Sequence, residues 1–375
     1  VSVIKTGEGL VLVDTGNQML ADQIHGQVRS WSDARVHTVV YTHGHIDHVS
    51  GVGPFDREAD EKGWDRPRVV AHSGVVRRFD RYKETAGYNT VINQRQFRRY
   101  QGQWPTQYRY PDEVYRRELV LEVGETRFEL HHGKGETDDH TWVWVPRHKL
   151  LCSGDFFIWT SPNAGNPQKV QRYPKDWSIA LRAMSTMEAE LLLPGHGLPI
   201  AGGDRIKQAL EEAALLLESL LEQTLELMNR GARLDEIIHS VRAPEELLNK
   251  PYLKPVYDEP EFVVRNIWRL YGGWYDGNPA NLKPAPDREV AAEVASLAGG
   301  AEPLAERAIE IATEGNLRLA GYLVELAALA EWENSKVHEA RARVNQMRVD
   351  AEASTMSKGI FGWAAAESRK VVEGE

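Results

Sequence analysis

The sequence predicts an α/β domain over residues 1–203 followed by an all-α domain over residues 204–375. Three observations predict this. Short β-rich runs alternate with loops and helical stretches in the first part, strand-like runs then stop, and long amphipathic segments take over. At 375 residues the chain exceeds one ordinary domain, and a hydrophobic content of 42% supplies a core for two.

The first run, Leu10 to Val13, leads into Asp14-Thr15-Gly16, and the second, Val36 to Tyr41, ends where a group of histidines begins. Both read as buried strands feeding functional loops. Further strands are expected at Arg68 to Ala71, Thr126 to His131, Thr141 to Val145, Leu150 to Ser153 and Leu191 to Leu193. Residues able to do chemistry follow these strands, where α/β proteins place their ligands. The lone cysteine, Cys152, reads as a small core residue of its strand.

In the second part, Lys207 to Met228 carries Leu210, Ala213, Ala214, Leu217, Leu220, Leu221, Leu225 and Met228 at three- and four-residue steps, with Leu215 and Leu216 widening the stripe. A stripe this wide suits a helix packed on more than one neighbour. Helices are also expected at Glu261 to Leu270, Arg288 to Ala298, Pro303 to Thr313, Leu317 to Trp332 and Lys336 to Ala351, with the glycine- and proline-containing stretch Tyr271 to Pro286 as a loop among them.

A net charge of -10 offers no general attraction for nucleic acid or an anionic membrane, so an anion must be held by a local device. The basic stretches Arg77-Arg78 and Arg95 to Arg99, interleaved with Tyr82, Tyr88, Phe97, Tyr100 and Trp104, read as a solvated helix and lid; Tyr88, Phe97 and Trp104 are placed to wall a pocket. No apolar run reaches the roughly 18 residues a spanning helix needs, so no stable membrane insertion is expected. A single cysteine excludes an internal disulfide and points to the cytoplasm, with a periplasmic or secreted location left open by a first residue, Val1, that is not methionine.

His43, His45, Asp47 and His48 place four metal-capable side chains within six residues. Packing gives no reason for such crowding. In extended backbone, residues two apart face the same way, so His43 and His45 can share one metal while Asp47 and His48 turn toward another. Glu136, Asp155 and His196 each arrive after a later strand, in the order a dinuclear site requires. Asp14 is expected to support the ligands from behind, and Asp139 to orient Glu136 or a histidine. The segment Ile158 to Tyr173 offers Asn163, Lys169 and Arg172 as groups for an anionic substrate.

The set Asp14-Thr15-Gly16, Thr42 to His48, Gly135-Glu136-Thr137, Gly154-Asp155 and Pro194-Gly195-His196 resembles the metallo-β-lactamase-fold hydrolase superfamily. That resemblance implies an αβ/βα sandwich with two metals at the sheet edges. His43, His45 and Glu136 would hold the first and Asp47, His48 and His196 the second, with Asp155 bridging; Asp47 and Asp155 are also the catalytic assignments. Most of the superfamily has histidine where this chain has Glu136, but the alkyl sulfatase branch has glutamate. Leu270 to Leu282, Leu297 to Ala301 and Trp363 to Arg369 are similar to the helical dimerisation domain of that branch, which implies a homodimer. The sterol-carrier-like domain usual in that branch is expected to be missing. Phe156 to Pro162 departs from the branch's Thr-His-Thr-Leu-His-Asn-like run, so the sulfate grip is expected to be rebuilt.

These expectations converge on a hydrolase with two divalent ions, zinc first and manganese or iron tolerated, that cleaves a small sulfate ester through a metal-bound hydroxide. The alternatives are a phosphodiester, lactone or carboxylic ester hydrolase using the same site, and a non-catalytic, metal-binding dimeric scaffold.

Overall fold

The structure, a computed structural model, describes residues 1–98 and 102–374; Arg99 and Tyr100 of the basic and aromatic stretch lie outside the described residues. Two sheets form the first part of the chain. One joins β1 (Ser2–Thr6), β2 (Gly9–Val13), β3 (Val36–Tyr41), β4 (Arg68–His72) and β5 (Glu113–Tyr115) in that spatial order. The other joins β6 (Glu118–Val123), β7 (Thr126–His132), β8 (Thr141–Val145), β9 (Leu150–Ile158), β10 (Leu191–His196) and β11 (Ile200–Ala201), again as neighbours in sequence order.

Alternation along the strands divides their side chains between two cores. Val11 and Val13 of β2, with Val40 and Val70, meet Leu121, Phe128, Leu130, Val143 and Cys152 between the sheets. Leu10 and Leu12 point the other way, into a cluster with Val28, Phe55, Val75 and Phe79. Those four belong to α1 (Ala21–Trp31), α3 (Gly53–Lys62) and α4 (Gly74–Glu84), which follow β2, β3 and β4; a short α2 (Ile46–Val49) lies between β3 and α3. Coverage on both faces is why β2 is a continuous apolar run rather than an alternating one. The sandwich of two sheets with outer helices is the one expected.

The helices continue with α5 (Ala86–Gln96), α6 (Pro174–Ser185), α7 (Gly203–Asn229), α8 (Leu234–Ser240), α9 (Glu245–Leu248) and α10 (Pro260–Gly272), then α11 (Asp287–Leu297), α12 (Ala301–Thr313), α13 (Leu317–Ala330), α14 (Ser335–Ala351) and α15 (Thr355–Glu373). Of these, α5, α6, α8, α9 and α15 go beyond the helices read from apolar spacing. On α7, Leu210, Ala213, Ala214, Leu217 and Leu220 are buried and so is Leu216, whereas Leu215 faces solvent. The wide stripe serves two neighbours, α6 and α10.

Two compact units result: Val1–Ala86, Trp104–Gly231 and Glu236–Gly273 in one, and Gly87–Gln103, Ala232–Asp235 and Trp274–Glu375 in the other. The change from strand to helix falls at residue 203, yet α7, α9 and α10 are compact with the sheets. In the second unit, α12 to α14 close on an alanine-rich core that includes Ala305, Ala308, Ala320, Val324, Ala327 and Val344. No helix of the described residues is long and apolar enough to cross a membrane.

Candidate metal centre

The candidate ligands come from four strand ends of the first unit. β3 delivers His43 and His45 on the turn that follows it and Asp47 and His48 on α2. Glu136 lies in the loop from β7 to β8. Asp155 sits within β9, which runs on to Ile158 rather than ending at Ser153, and His196 closes β10. The strands β9 and β10 pair in parallel with register shifts around Pro194. A Cβ on residue 195 would lie 2.0 Å from Asp155 Oδ1 and 2.7 Å from the Gly154 carbonyl carbon, so only glycine lets β10 come this close to the aspartate.

Two ligand groups result. His43, His45, Glu136 and Asp155 bring one nitrogen or oxygen each within 4.8 Å of one another, as do Asp47, His48 and His196. Asp155 reaches both groups. Its Oδ2 is 3.8 Å from His43 Nε2 and 3.5 Å from His196 Nε2, and its Oδ1 is 3.3 Å from His48 Nε2. Asp47 Oδ2 is 3.3 Å from His196 Nε2 and 3.6 Å from His48 Nε2. His48 Nε2, Glu136 Oε2 and Asp155 Oδ1 are buried with no hydrogen-bond partner. Three orphaned donor atoms aimed into one space are costly unless a cation takes them up. The donor set therefore fits two divalent ions.

The tautomers are arranged to the same end. Asp14 Oδ2 accepts from His48 Nδ1 at 2.7 Å and from the Thr42 hydroxyl at 2.8 Å, and Asp14 Oδ1 accepts from the Thr42 amide at 2.7 Å. Because the Thr42 hydroxyl gives its proton to Asp14, it accepts from His43 Nδ1, 3.0 Å away. One aspartate thus turns the Nε2 lone pairs of both His43 and His48 toward the centre. Asp14 does so from a left-handed backbone, φ 63°, a conformation aspartate tolerates better than most residues. Asp14→Asn puts an amide donor against these hydrogens, and metal affinity should fall about 10- to 100-fold. Competition with a chromophoric chelator measures this, and an affinity within twofold of the original would remove the assigned role.

Glu136 is 4% exposed and its Oε1 is held by Arg172 Nη1 at 2.6 Å and Asn163 Nδ2 at 2.5 Å and lies 3.8 Å from His45 Nδ1, while Oε2 is buried without a hydrogen-bond partner. Burial outweighs Arg172 and pushes the Glu136 carboxyl up to about 7. Asp155 goes the other way: burial alone would raise it, but His48 and His196 hold it well below the usual carboxylate range. The same pairing with Asp155, helped by Asp47, lifts His196 to about 10.

Asp139 takes a role on the opposite side. Its Oδ2 accepts from Arg78 Nε at 2.6 Å and from the Gly44 amide at 3.3 Å, and Arg78 Nη2 also reaches Asp138 at 2.5 Å. Arg78 and Asp139 are both buried, so this pair pins the turn between His43 and His45. His140 stacks on His43 with ring centres 4.3 Å apart, and its Nε2 accepts the Asp155 amide at 3.1 Å. Burial pushes it down to about 4, so it is a neutral prop.

Of the groups expected to face substrate, Asn163 and Arg172 are buried against Glu136, and Arg172 Nη1 also donates to the Asn163 carbonyl at 2.8 Å. Lys169 is half-buried, with its ammonium 5.3 Å from the Trp104 ring. Burial, with Arg172 nearby, pushes it down to about 8. Trp104 is itself buried against Tyr82, whereas Tyr88 and Phe97 are exposed. Sequence reasoning missed Arg78, which it took for part of a solvated basic helix. The signal would have been its place on the apolar face of α4, beside Val75, Phe79 and Tyr82, all buried.

Two family models match the chain, the second taking in α9 and α10, which belong to the first unit. Residues 1–196 match the model of the metallo-beta-lactamase superfamily and residues 233–371 that of alkyl sulfatase dimerisation. A linear primary-alkylsulfatase from a Pseudomonas strain is 24% identical, with 91% of this chain and 68% of that protein covered. An alkyl/aryl-sulfatase of Saccharomyces cerevisiae is also 24% identical, with 94% of this chain and 59% of that protein covered. The solved stereoselective inverting sec-alkylsulfatase of a Pseudomonas species superposes with a TM-score of 0.85 at 22% identity, covering 100% of this chain and 62% of that one, which shows a shared fold. The chain thus spans about six- to seven-tenths of the length of these relatives. With its ligand-bearing half matched from Val1 to His196, the chain belongs to the metallo-beta-lactamase superfamily.

Proposed function

We propose that the protein is a dinuclear, zinc-dependent hydrolase that cleaves a sulfate ester. The observation that carries this reading is Asp155, one carboxylate shared by two converging ligand groups, each with a buried atom that has no protein partner. His43, His45 and Glu136 would hold the first ion, and Asp47, His48 and His196 the second, with Asp155 between them. Glutamate among the ligands leaves manganese or iron tolerated beside zinc. Two such ions supply Lewis acidity and lower the pKa of water.

The chain's own residues do the rest. Asp47 and His196 lie on the solvent-exposed side of the cluster, where substrate enters. Arg172 neutralises Glu136 without leaving the interior, so the three ligand carboxylates do not repel an incoming anion as strongly as their number suggests. Lys169 makes no ion pair among the described residues and is the cation available to an ester's anionic oxygens. The alkylsulfatases among the relatives support sulfate as the anion. The matched dimerisation region, with Leu297 and Tyr322 on its surface, supports a homodimer through the second unit.

Reloading the stripped protein with zinc or manganese should restore sulfate release from a panel of alkyl and aryl sulfates; inactivity across that panel would remove the sulfatase reading. One observation favours a second reading. Arg172 spends its charge on Glu136 instead of presenting it to substrate, which suits an uncharged lactone or carboxylic ester. Turnover of those esters with none of the sulfates would select it.

A further inference from the structure

The stretch from Trp159 to Tyr173 has no helix or strand, yet Ser161, Asn163, Ala164, Asn166 and Arg172 are all buried. Backbone in that situation must find partners outside its own element. Here they come from Lys254 to Arg269, a segment inside the region matched by the alkyl sulfatase dimerisation model. The Lys254 carbonyl accepts from the Ser161 amide at 3.2 Å and the Thr160 hydroxyl at 2.6 Å. Asp258 Oδ2 accepts the amides of Gly165 at 2.5 Å and Asn166 at 3.2 Å. Asn266 spans the loop: its Nδ2 donates to the carbonyls of Ala164 and Arg172, both at 2.9 Å, and its Oδ1 accepts from Gln171 at 3.0 Å and Arg269 at 3.1 Å. A Cβ on residue 165 would lie 2.4 Å from the Phe262 carbonyl carbon, so the loop backbone rests directly on the start of α10.

The two polar contacts fall at either side of the groups that hold Glu136. Asp258 takes the amides just after Asn163, and Asn266 takes the carbonyls of Ala164 and Arg172. We propose that Asp258 and Asn266 are positioning residues that set Asn163 and Arg172 on Glu136 Oε1, and so fix the orientation in which the Glu136 carboxylate is offered to the first metal. The inference rests on the dinuclear reading above. Its physical content is a hydrogen-bond chain from α10 to one ligand. With Asn163 and Arg172 in place, Glu136 is held in one orientation with Oε1 3.8 Å from His45 Nδ1; without them it is free to rotate and to expose an unpaired buried charge. The hydrogen bonds from Asn163 and Arg172 run to Glu136, so the larger effect falls at one metal position.

Asp258 uses both oxygens, since its Oδ1 also accepts the Glu259 amide at 2.8 Å at the start of α10. It is fully buried, it makes no ion pair among the described residues, and burial pushes it up to about 6. An amide at this position would offer one acceptor oxygen where the carboxylate offers two.

The test uses Asn266→Leu and the milder Asp258→Asn in the full chain, each titrated with zinc against a competing chelator, with turnover measured alongside. Wild type should show two affinities. In both variants one affinity should weaken at least tenfold and the other stay within twofold, with kcat falling more than KM rises. Asp258→Asn, which keeps an acceptor for the loop amides, should lie between wild type and Asn266→Leu. A general loss of packing would instead weaken both affinities together and overturn the inference. Two unchanged affinities in both variants, with two ions bound by wild type, would also overturn it while leaving the metal centre intact. A wild-type protein that takes up no metal would overturn the metal-centre reading and this one with it.

Discussion

Asp155→Ala should lower turnover by about a thousandfold or more and reduce bound metal from two ions per chain to one or none. The size follows from geometry. Every other ligand belongs to one group, whereas Asp155 approaches His43, His48 and His196 within 3.8 Å. Removing a shared carboxylate weakens both ions and lets them separate, so the effect exceeds that of a single-site ligand. Asp155 is also the main charge that lifts His196. In the variant, His196 should titrate closer to the ordinary histidine value, which proton NMR of the metal-free protein can follow. Metal content by atomic emission and initial rates at saturating zinc check the main effect. Two ions retained with near-normal rate would show that Asp155 does not bridge.

Arg78→Met should cost the fold about 3–5 kcal/mol near neutral pH, the usual effect of removing one partner from a buried ion pair. Arg78 is 3% exposed and Asp139 0%, so solvent cannot replace the lost partner. Burial by itself would raise the Asp139 carboxyl, but Arg78's charge and hydrogen bond hold it below the usual carboxylate range. A depressed folded-state value means that the pair's contribution is present above the unfolded pKa of about 3.9 and is lost as pH falls through the folded value. In the variant, burial is opposed only by Thr137, His45 and the Gly44 amide, and the folded value rises. Its carboxyl then takes up a proton as pH falls, which relieves the penalty. The stability gap between wild type and variant should therefore be widest near pH 7 and narrow toward pH 4. Urea unfolding of the metal-free proteins across that range measures it. A gap independent of pH would show that the loss comes from packing around the arginine stem and not from the charge left on Asp139.

The parts of the site legible in the sequence were those whose chemistry is crowded. His43, His45, Asp47 and His48 stand within six residues, Asp14 and Glu136 come after strands, and Asp155 and His196 come after the apolar runs that open β9 and β10. The alternation of strands and helices was legible in apolar runs such as β2, whereas the two-layer sandwich came from the resemblance of the histidine motif and its partners to the metallo-β-lactamase fold. What was not legible depends on long-range pairing. Arg78 is an ordinary basic residue until α4 places it on the loop holding Asp139, 61 positions away. Asn266 and Asp258 are unremarkable in sequence because their partners are backbone groups about 90 to 100 residues earlier. Arg172 shows the limit most clearly. As a loop cation it suggested an anion grip, yet its guanidinium is buried on Glu136, a partner 36 residues back.

The most direct test of the central claim is the release of inorganic sulfate from a primary alkyl sulfate as zinc is added stepwise to the metal-free protein. The account predicts a rate that rises with metal up to two equivalents per chain and then levels, with Asp155→Ala flat throughout. Two equivalents bound by the wild-type protein with no sulfate released would contradict it.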